Sequence, residues 1–446
     1  MKKISEKILV LSVFLLTYYI YMNSIRKIMI PYSSITVPAI LLLVLISTII
    51  CSNGKIKVLG IWDKLVCISW VIIAIYIFIN NESLAKNIIS GGLIQLYVMI
   101  AFLIFSNEKK SWIDVWLKST FVFVMIHAIS TIIFYFNSDL YTKFARLMFS
   151  GDELKNCFTY YRQGFMSGLS THFSNNGMIL SIGILIIWQS ILYTRNSKNS
   201  NKTLLIFKYV CILIVLYALI LSSKRSPLLA SFLAIISTYI ICTGKNVWKS
   251  FIILIICLAI LYGAYTFLAD KIPGLSTIVN KTANLENSSA GILNGRKGLW
   301  QRAFDLFNMN PAFGKGYGSY ASYANQTDAI TTSAHNYYLQ ILAELGLFGM
   351  LLYLIVFGSG IMLAINLLKK SVNDKNLRNI MLASISLEIQ IFVIVYCITA
   401  TALMYYCILI PYILAITLAH VVNIDEYGNK KENKNENRNN NIYKYN

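Results

Sequence analysis

The sequence predicts an all-α protein that crosses a membrane about twelve times, and three observations predict it. Hydrophobic residues make up 57% of the chain and charged residues only 13%, against roughly 25% charge in an ordinary soluble domain. Apolar stretches of about 18 residues or more recur, each long enough to cross a hydrocarbon layer roughly 30 Å thick. Lipid offers the backbone no hydrogen-bond partner, so such stretches must be helices.

The spans fall near residues 8–22, 32–51, 65–80, 88–105, 115–136, 177–193, 204–221, 227–243, 247–268, 345–368, 380–398 and 400–422. Met1-Lys2-Lys3 and the apolar run behind it resemble a secretory signal. No small-residue cleavage site follows, so the run reads as a retained first span. Residues 1–422 form one polytopic domain. The Asn-, Lys- and Glu-rich residues 423–446 have no apolar period and read as a disordered cytoplasmic tail. The two halves do not mirror each other, which argues against a transporter built from repeats.

Orientation follows from Lys and Arg. With the N-terminus cytoplasmic, Lys55, Lys57, Lys109, Lys110, Arg195, Lys245, Lys369, Lys370 and Arg378 all fall inside, together with the C-terminus. Two long loops, 137–176 and 269–344, then lie outside. They too are rich in cations, among them Arg146, Arg162, Arg296, Lys297, Arg302 and Lys315, and the short 222–226 turn adds Lys224 and Arg225. So many positive charges facing one compartment point to an anionic ligand. The net charge of +20 does not point to nucleic acid, because no soluble domain presents it. Most of the eight Cys lie in apolar segments, and no disulfide framework or paired-Cys metal motif is present.

Three polar stretches can carry chemistry. In Ser222-Ser223-Lys224-Arg225-Ser226-Pro227, Ser226 suits an N-cap and Pro227 the first helical position. Two cations at a helix N-terminus make an anion site, although an interfacial pair that merely snorkels has the same pattern. In Asn294-Gly295-Arg296-Lys297-Gly298-Leu299-Trp300, Asn294 suits an N-cap and Arg296 the first turn. Leu299, Trp300, Ala303, Phe304 and Phe307 form one apolar face, as in a helix lying on a membrane surface. A purely structural interfacial helix fits equally. In Ser333-Ala334-His335-Asn336-Tyr337-Tyr338, Ser333 can cap a helix that runs on into the 345–368 span. His335 would then sit in its first turn, where the positive helix end favours neutral imidazole, the form a general base needs. A hydrogen-bonded loop histidine is the alternative. His127 and His420 read as structural, and His172 at an outer boundary stays open. Glu388, mid-span, reads as part of a proton path or as a buried hydrogen-bond partner. No cluster suggests a metal site.

Taken together, Ser223-Lys224-Arg225-Ser226, Gly295-Arg296 with Trp300, Pro311-Ala312-Phe313-Gly314-Lys315-Gly316-Tyr317-Gly318, and His335-Asn336 followed by Leu339, Glu344-Leu345-Gly346 and Gly349 resemble the bacterial O-antigen ligase/polymerase family, which comprises Wzy-type polysaccharide polymerases and lipopolysaccharide ligases. The resemblance covers roughly residues 204–353. It implies a GT-C-like membrane glycosyltransferase that uses no metal, cofactor or nucleotide sugar. Its donor would be a glycan on an undecaprenyl pyrophosphate carrier, met at the outer face of the bacterial cytoplasmic membrane.

The resemblance assigns Arg225 and Arg296 to the pyrophosphate and His335 to the acceptor hydroxyl. Those residue types suit the chemistry. Guanidinium groups can take up the charge that grows on the leaving pyrophosphate, and imidazole can accept the proton of the attacking hydroxyl. Lys224 and Arg302 can assist electrostatically, and Trp300, Asn336, Tyr337 and Tyr338 can contact sugar. A flippase and a chain-length regulator are the expected protein partners. Within the family, a polymerase is favoured over a ligase, because no acceptor-binding loops of a ligase are recognisable. A flippase for the same lipid-linked units is the competing class, but Glu388 is the one clear midplane carboxylate and the largest loop lies outside rather than centrally.

Overall fold

A computed structural model describes residues 2–22, 60–80, 111–198, 200–243, 294–326 and 333–423. The expected spans near 32–51, 88–105 and 247–268, and the tail, lie outside the described residues. The described residues are helical throughout, with no β-sheet: α1 (Lys2–Tyr21), α2 (Ile61–Ile79), α3 (Ser111–Phe136), α4 (Ser138–Met148), α5 (Gly151–Arg162), α6 (Phe173–Asn196), α7 (Lys202–Leu221), α8 (Arg225–Thr243), α9 (Asn294–Met309), α10 (Ser319–Gln326), α11 (Tyr337–Asn373), α12 (Leu377–Cys397) and α13 (Tyr406–Asn423). Eight of them, α2, α3, α6, α7, α8, α11, α12 and α13, are long and apolar enough to cross a bilayer. The chain is an integral membrane protein with an all-α polytopic fold.

Burial sorts centre from rim. The spanning window of α13 is buried along 89% of its length and that of α6 along 78%, whereas α7 and α8 reach 33% and 28%. Hydrophobic residues cover α7 on all sides, as a lipid-facing helix requires. α11 packs on α2 and α12, α6 on α7 and α12, and α8 on α12. Polar side chains fasten the two ends of this bundle. At one end, buried His420 Nδ1 on α13 pairs with Asp63 Oδ1 on α2 at 2.6 Å, and Lys208 Nζ on α7 reaches Ser190 Oγ and Thr194 Oγ1 on α6 at 2.7 and 2.6 Å. Arg378 grips Asp114 with both contacts near 3 Å, but the pair is about half exposed and contributes at most ~1 kcal/mol.

The opposite end is closed by loops. The Ser223 hydroxyl donates to the Gly164 carbonyl at 3.3 Å and the Met166 N–H to the Leu221 carbonyl at 3.3 Å. Tyr338 Oη on α11 donates to the Ile394 carbonyl on α12 at 2.9 Å. The Tyr317 N–H donates to the Asn80 carbonyl at the end of α2 at 3.0 Å.

α11 is two helices joined at a break. Gly346 has φ 65° and ψ −166°, outside the helical region. A single helix running unbroken into the 345–368 span was expected, and the structure corrects that. A broken helix strands carbonyls before the gap and N–H groups after it. The 311–316 loop takes up both sets: Lys315 and Gly316 donate to the Ala343 and Glu344 carbonyls at 3.1 and 2.8 Å, and Leu347 and Phe348 donate to the Pro311 and Ala312 carbonyls at 2.9 and 3.1 Å. Backbone meets backbone, so no side chain fits. A Cβ on Gly314 would lie 2.4 Å from the Glu344 carbonyl, and one on Gly346 2.5 Å from the Gly314 nitrogen. The glycine-rich Pro311–Gly318 motif therefore splices the outer loop into α11 and sets where α9 and the start of α11 stand.

Candidate active site

The site is built where the turn between α7 and α8, the start of α9 and the start of α11 come together. Ser222 Oγ donates to the Leu219 carbonyl at 2.7 Å and closes α7. Ser223 follows with φ 55°, a left-handed backbone that reverses the chain. α8 then begins at Arg225, earlier than the cap expected at Ser226. Pro227 is its third residue rather than its first, still among the positions whose N–H has no helical partner, so it costs no hydrogen bond. Lys224 Nζ lies 4.8 Å from the centre of the Phe173 ring at the start of α6. Gly177 allows this approach, since a Cβ there would be 3.2 Å from Lys224 Cβ.

Arg296 occupies the third position of α9. Leu299, Ala303 and Leu306 form the buried face of that helix and pack with Tyr320, Ala324, Ala334 and Ala343. The expected apolar face was different. Phe304 is 45% exposed, and the face that is buried turns towards α10 and α11, because the spliced loop holds α9 against protein. Trp300 stands one turn beyond Arg296, and its Nε1–H is buried with no hydrogen-bond partner among the described residues. Arg302 lies on another face of α9 and hydrogen-bonds Tyr320, whose own hydroxyl donates to the Leu299 carbonyl at 2.9 Å.

His335 has φ 50°, a left-handed conformation that costs a β-unbranched residue on the order of 1 kcal/mol. The cap of α11 is Asn336, whose side chain accepts from the Leu339 N–H at 3.1 Å, not Ser333. His335 therefore stands just outside the helix rather than in its first turn. Gln340 anchors the loop: its Oε1 accepts from the Ala334 N–H at 3.2 Å while its Nε2 donates to Glu344 at 3.0 Å. Tyr337 is buried at 3% exposure and packs edge-on to Tyr353. Tyr338 packs on Phe357. Both rings expected at sugar are used in helix packing, and Asn336 is used as a cap.

The cationic groups feel one another. Burial lowers the His335 imidazole below its ordinary value, and the charges of Arg296 and Lys224 lower it further. Burial also lowers Arg296; nearby Tyr396 opposes that effect, and the Arg225 charge adds to it. Arg225, Arg296, Lys224 and His335, spread from residue 224 to residue 335 of the sequence, thus occupy one electrostatic neighbourhood at one end of the bundle. A bound anion would lower the cost of holding these like charges close together.

His172 joins the same neighbourhood. Burial, then Lys224, then His335 lower it to about 4. Sequence reasoning left this residue open, though the pattern of a polar residue before Phe173-Ser174 and a long apolar run is a helix-start signal. A cavity of about 130 Å³ is lined by Ser170, Asn175, Tyr19 and Tyr405 among others, and His172 is not part of its lining. Tyr396 lies within electrostatic reach of both Tyr405 and Arg296. Among the described residues, no three His, Cys, Asp or Glu side chains gather as metal ligands would.

No curated protein matches the chain. Residues 209–354, from α7 into α11, match the family model described as O-antigen ligase. That stretch contains Lys224, Arg225, Arg296 and His335, and the match supports the O-antigen ligase/polymerase family for this chain.

Proposed function

We propose that the protein is a membrane glycosyltransferase of polysaccharide assembly, a polymerase that transfers an undecaprenyl-pyrophosphate-linked glycan onto a lipid-linked repeat unit at the outer face of the cytoplasmic membrane. The observation that carries this reading is the mutual influence of Arg225, Arg296, Lys224 and His335 at one end of a membrane-spanning bundle. Breaking the sugar–phosphate bond leaves both electrons on the pyrophosphate oxygen. Arg225 and Arg296 take up the added negative charge as charge-assisted donors. His335, kept neutral, accepts the proton of the acceptor hydroxyl as that oxygen bonds the sugar carbon. Trp300 offers its unpartnered Nε1–H from the same helix as Arg296, and the lipid-facing spans give the polyprenyl tail a path.

A ligase, which moves a finished chain onto lipid A core or another acceptor, is the second reading, favoured by the description of the matching family model. The two separate in a deletion strain: loss of chain growth on the carrier marks a polymerase, and long chains stranded on the carrier mark a ligase. The shared chemistry is tested by Arg225→Ala, Arg296→Ala and His335→Ala in cells. Each Arg change should slow transfer about 10²–10³-fold and the His change about 10²–10⁴-fold, with the protein still in the membrane. Unchanged glycan ladders from all three would remove the assignment.

A further inference from the structure

We infer that His172 is a binding residue of this site, presenting its Nε2–H as a donor to a pyrophosphate oxygen beside Lys224. The inference rests on the pyrophosphate reading above and adds a residue to it.

The tautomer follows from geometry. His172 is the N-cap of α6, and its Nδ1 accepts the Ser174 N–H at 3.0 Å. An acceptor nitrogen carries no proton, so the neutral ring carries it on Nε2. Rings hold the imidazole in place: it stacks on Phe173 at 4.4 Å and meets Tyr160 edge-on at 4.8 Å. Lys224 Nζ lies over that same Phe173 ring. One aromatic ring thus contacts both the histidine and the lysine, and Gly177 lets the α6 and α7–α8 segments touch.

A neutral donor suits this position. The Arg225 charge already acts unfavourably on Arg296, and a further cation nearby would add to that cost. Imidazole with one nitrogen committed to a cap supplies a hydrogen bond and no charge. Burial, then Lys224, then His335 lower its protonation to about 4, and with Nδ1 the cap acceptor the Nε2–H is present whether the ring is neutral or protonated.

Two substitutions separate the cap from the donor. Asn at this position retains a cap acceptor but ends short of Nε2. Gln retains an N–H near the Nε2 position but caps poorly. The experiment measures inorganic pyrophosphate binding to the purified full chain by calorimetry, with thermal unfolding alongside. His172→Asn should melt near the wild type and bind pyrophosphate at least about tenfold more weakly, the loss of one hydrogen bond to a charged group. His172→Gln should melt lower and recover most of the affinity. Wild-type affinity in His172→Asn, with binding still lost in Arg225→Ala and Arg296→Ala, overturns the role of His172 and leaves the site standing. If the wild type binds no pyrophosphate, or the Arg variants bind it unchanged, both readings fall.

Discussion

Arg296 and Lys224 act on His335 before any substrate arrives, and the direction of that action can be measured. Both charges and burial lower the imidazole from its ordinary value of 6.5, so His335 is unprotonated at neutral pH. Protonation removes the base. Hence kcat/KM, which reports the free enzyme, should fall only as pH drops through a value below 6.5. Bound pyrophosphate brings negative charge that favours imidazolium, so the acid limb of kcat should lie at higher pH than that of kcat/KM. Lys224→Ala removes one of the lowering charges and should move the kcat/KM limb up towards 6.5. A limb that stays in place would show that Lys224 does not act on His335. Sequence alone put Arg225 and Arg296 at helix starts, as the structure has them, whereas His335 was expected in a first turn and stands just outside its helix. The local caps were less legible. Asn336 and Ser333 are both good cap residues, and only the Gln340 side chain reaching back to Ala334 decides between them. Tyr337 and Tyr338 looked available because they neighbour His335, yet a helix places adjacent residues on different faces, and here both face packed helices.

At the scale of elements, the break in α11 carries the site. The Pro311–Gly318 motif was visible as glycine-rich, but its partner at Gly346 lies inside an apolar run whose pattern reads as continuous helix. Nothing local announces that 30 residues earlier a loop will supply the missing hydrogen bonds. Gly346→Ala combines a φ of 65° with a Cβ 2.5 Å from the Gly314 nitrogen. It should destabilise the protein by about 4 kcal/mol or more and sharply reduce the amount of folded protein extracted from membranes. Lys315→Ala is the matching control. The Lys315 side chain is exposed and only its backbone N–H enters the splice, so its yield should equal that of the wild type. Equal yield from Gly346→Ala would mean that the loop and helix do not meet as described. Glu388 belongs to this scale as well. It is fully buried on α12 and accepts from Gln189 Nε2 on α6, while its Oε2 has no partner among the described residues. If Glu388 only joins the two helices, Glu388→Gln should leave transfer within about threefold of the wild type, since an amide can still accept from Gln189 and removes a buried ionisable group. Loss of transfer in a well-folded Glu388→Gln protein would instead make it part of a proton path.

For the whole molecule, membrane hydropathy was the most legible property, because lipid constrains a helix more simply than a protein core does. The expected spans inside the described residues all correspond to helices. The last starts later, at Tyr406, because residues 402–404 form a 3₁₀ turn first. The long 137–176 loop contains α4 and α5, whose Tyr141 and Tyr161 stack at 4.3 Å. What the sequence did not display was convergence. The 163–172 segment meets the end of α7 and the turn after it through a backbone hydrogen bond from Met166 to Leu221 and the Ser223 hydroxyl on the Gly164 carbonyl, contacts that no local sequence pattern announces, so His172 could not be linked to Lys224. Apart from the mid-span Gln189–Glu388 contact, the polar fasteners described lie at the two ends of the bundle, and the cationic groups share one of them. The central claim is that these groups form a catalytic centre sufficient for transfer. The direct measurement supplies purified protein in lipid vesicles with lipid-linked repeat units and no other enzyme, and counts undecaprenyl pyrophosphate released against glycosidic bonds formed. One carrier pyrophosphate per bond is predicted, with both products lost together in Arg225→Ala, Arg296→Ala and His335→Ala. Polymer formation at wild-type rate in folded Arg296→Ala, or no transfer by the wild type under these conditions, would contradict the account.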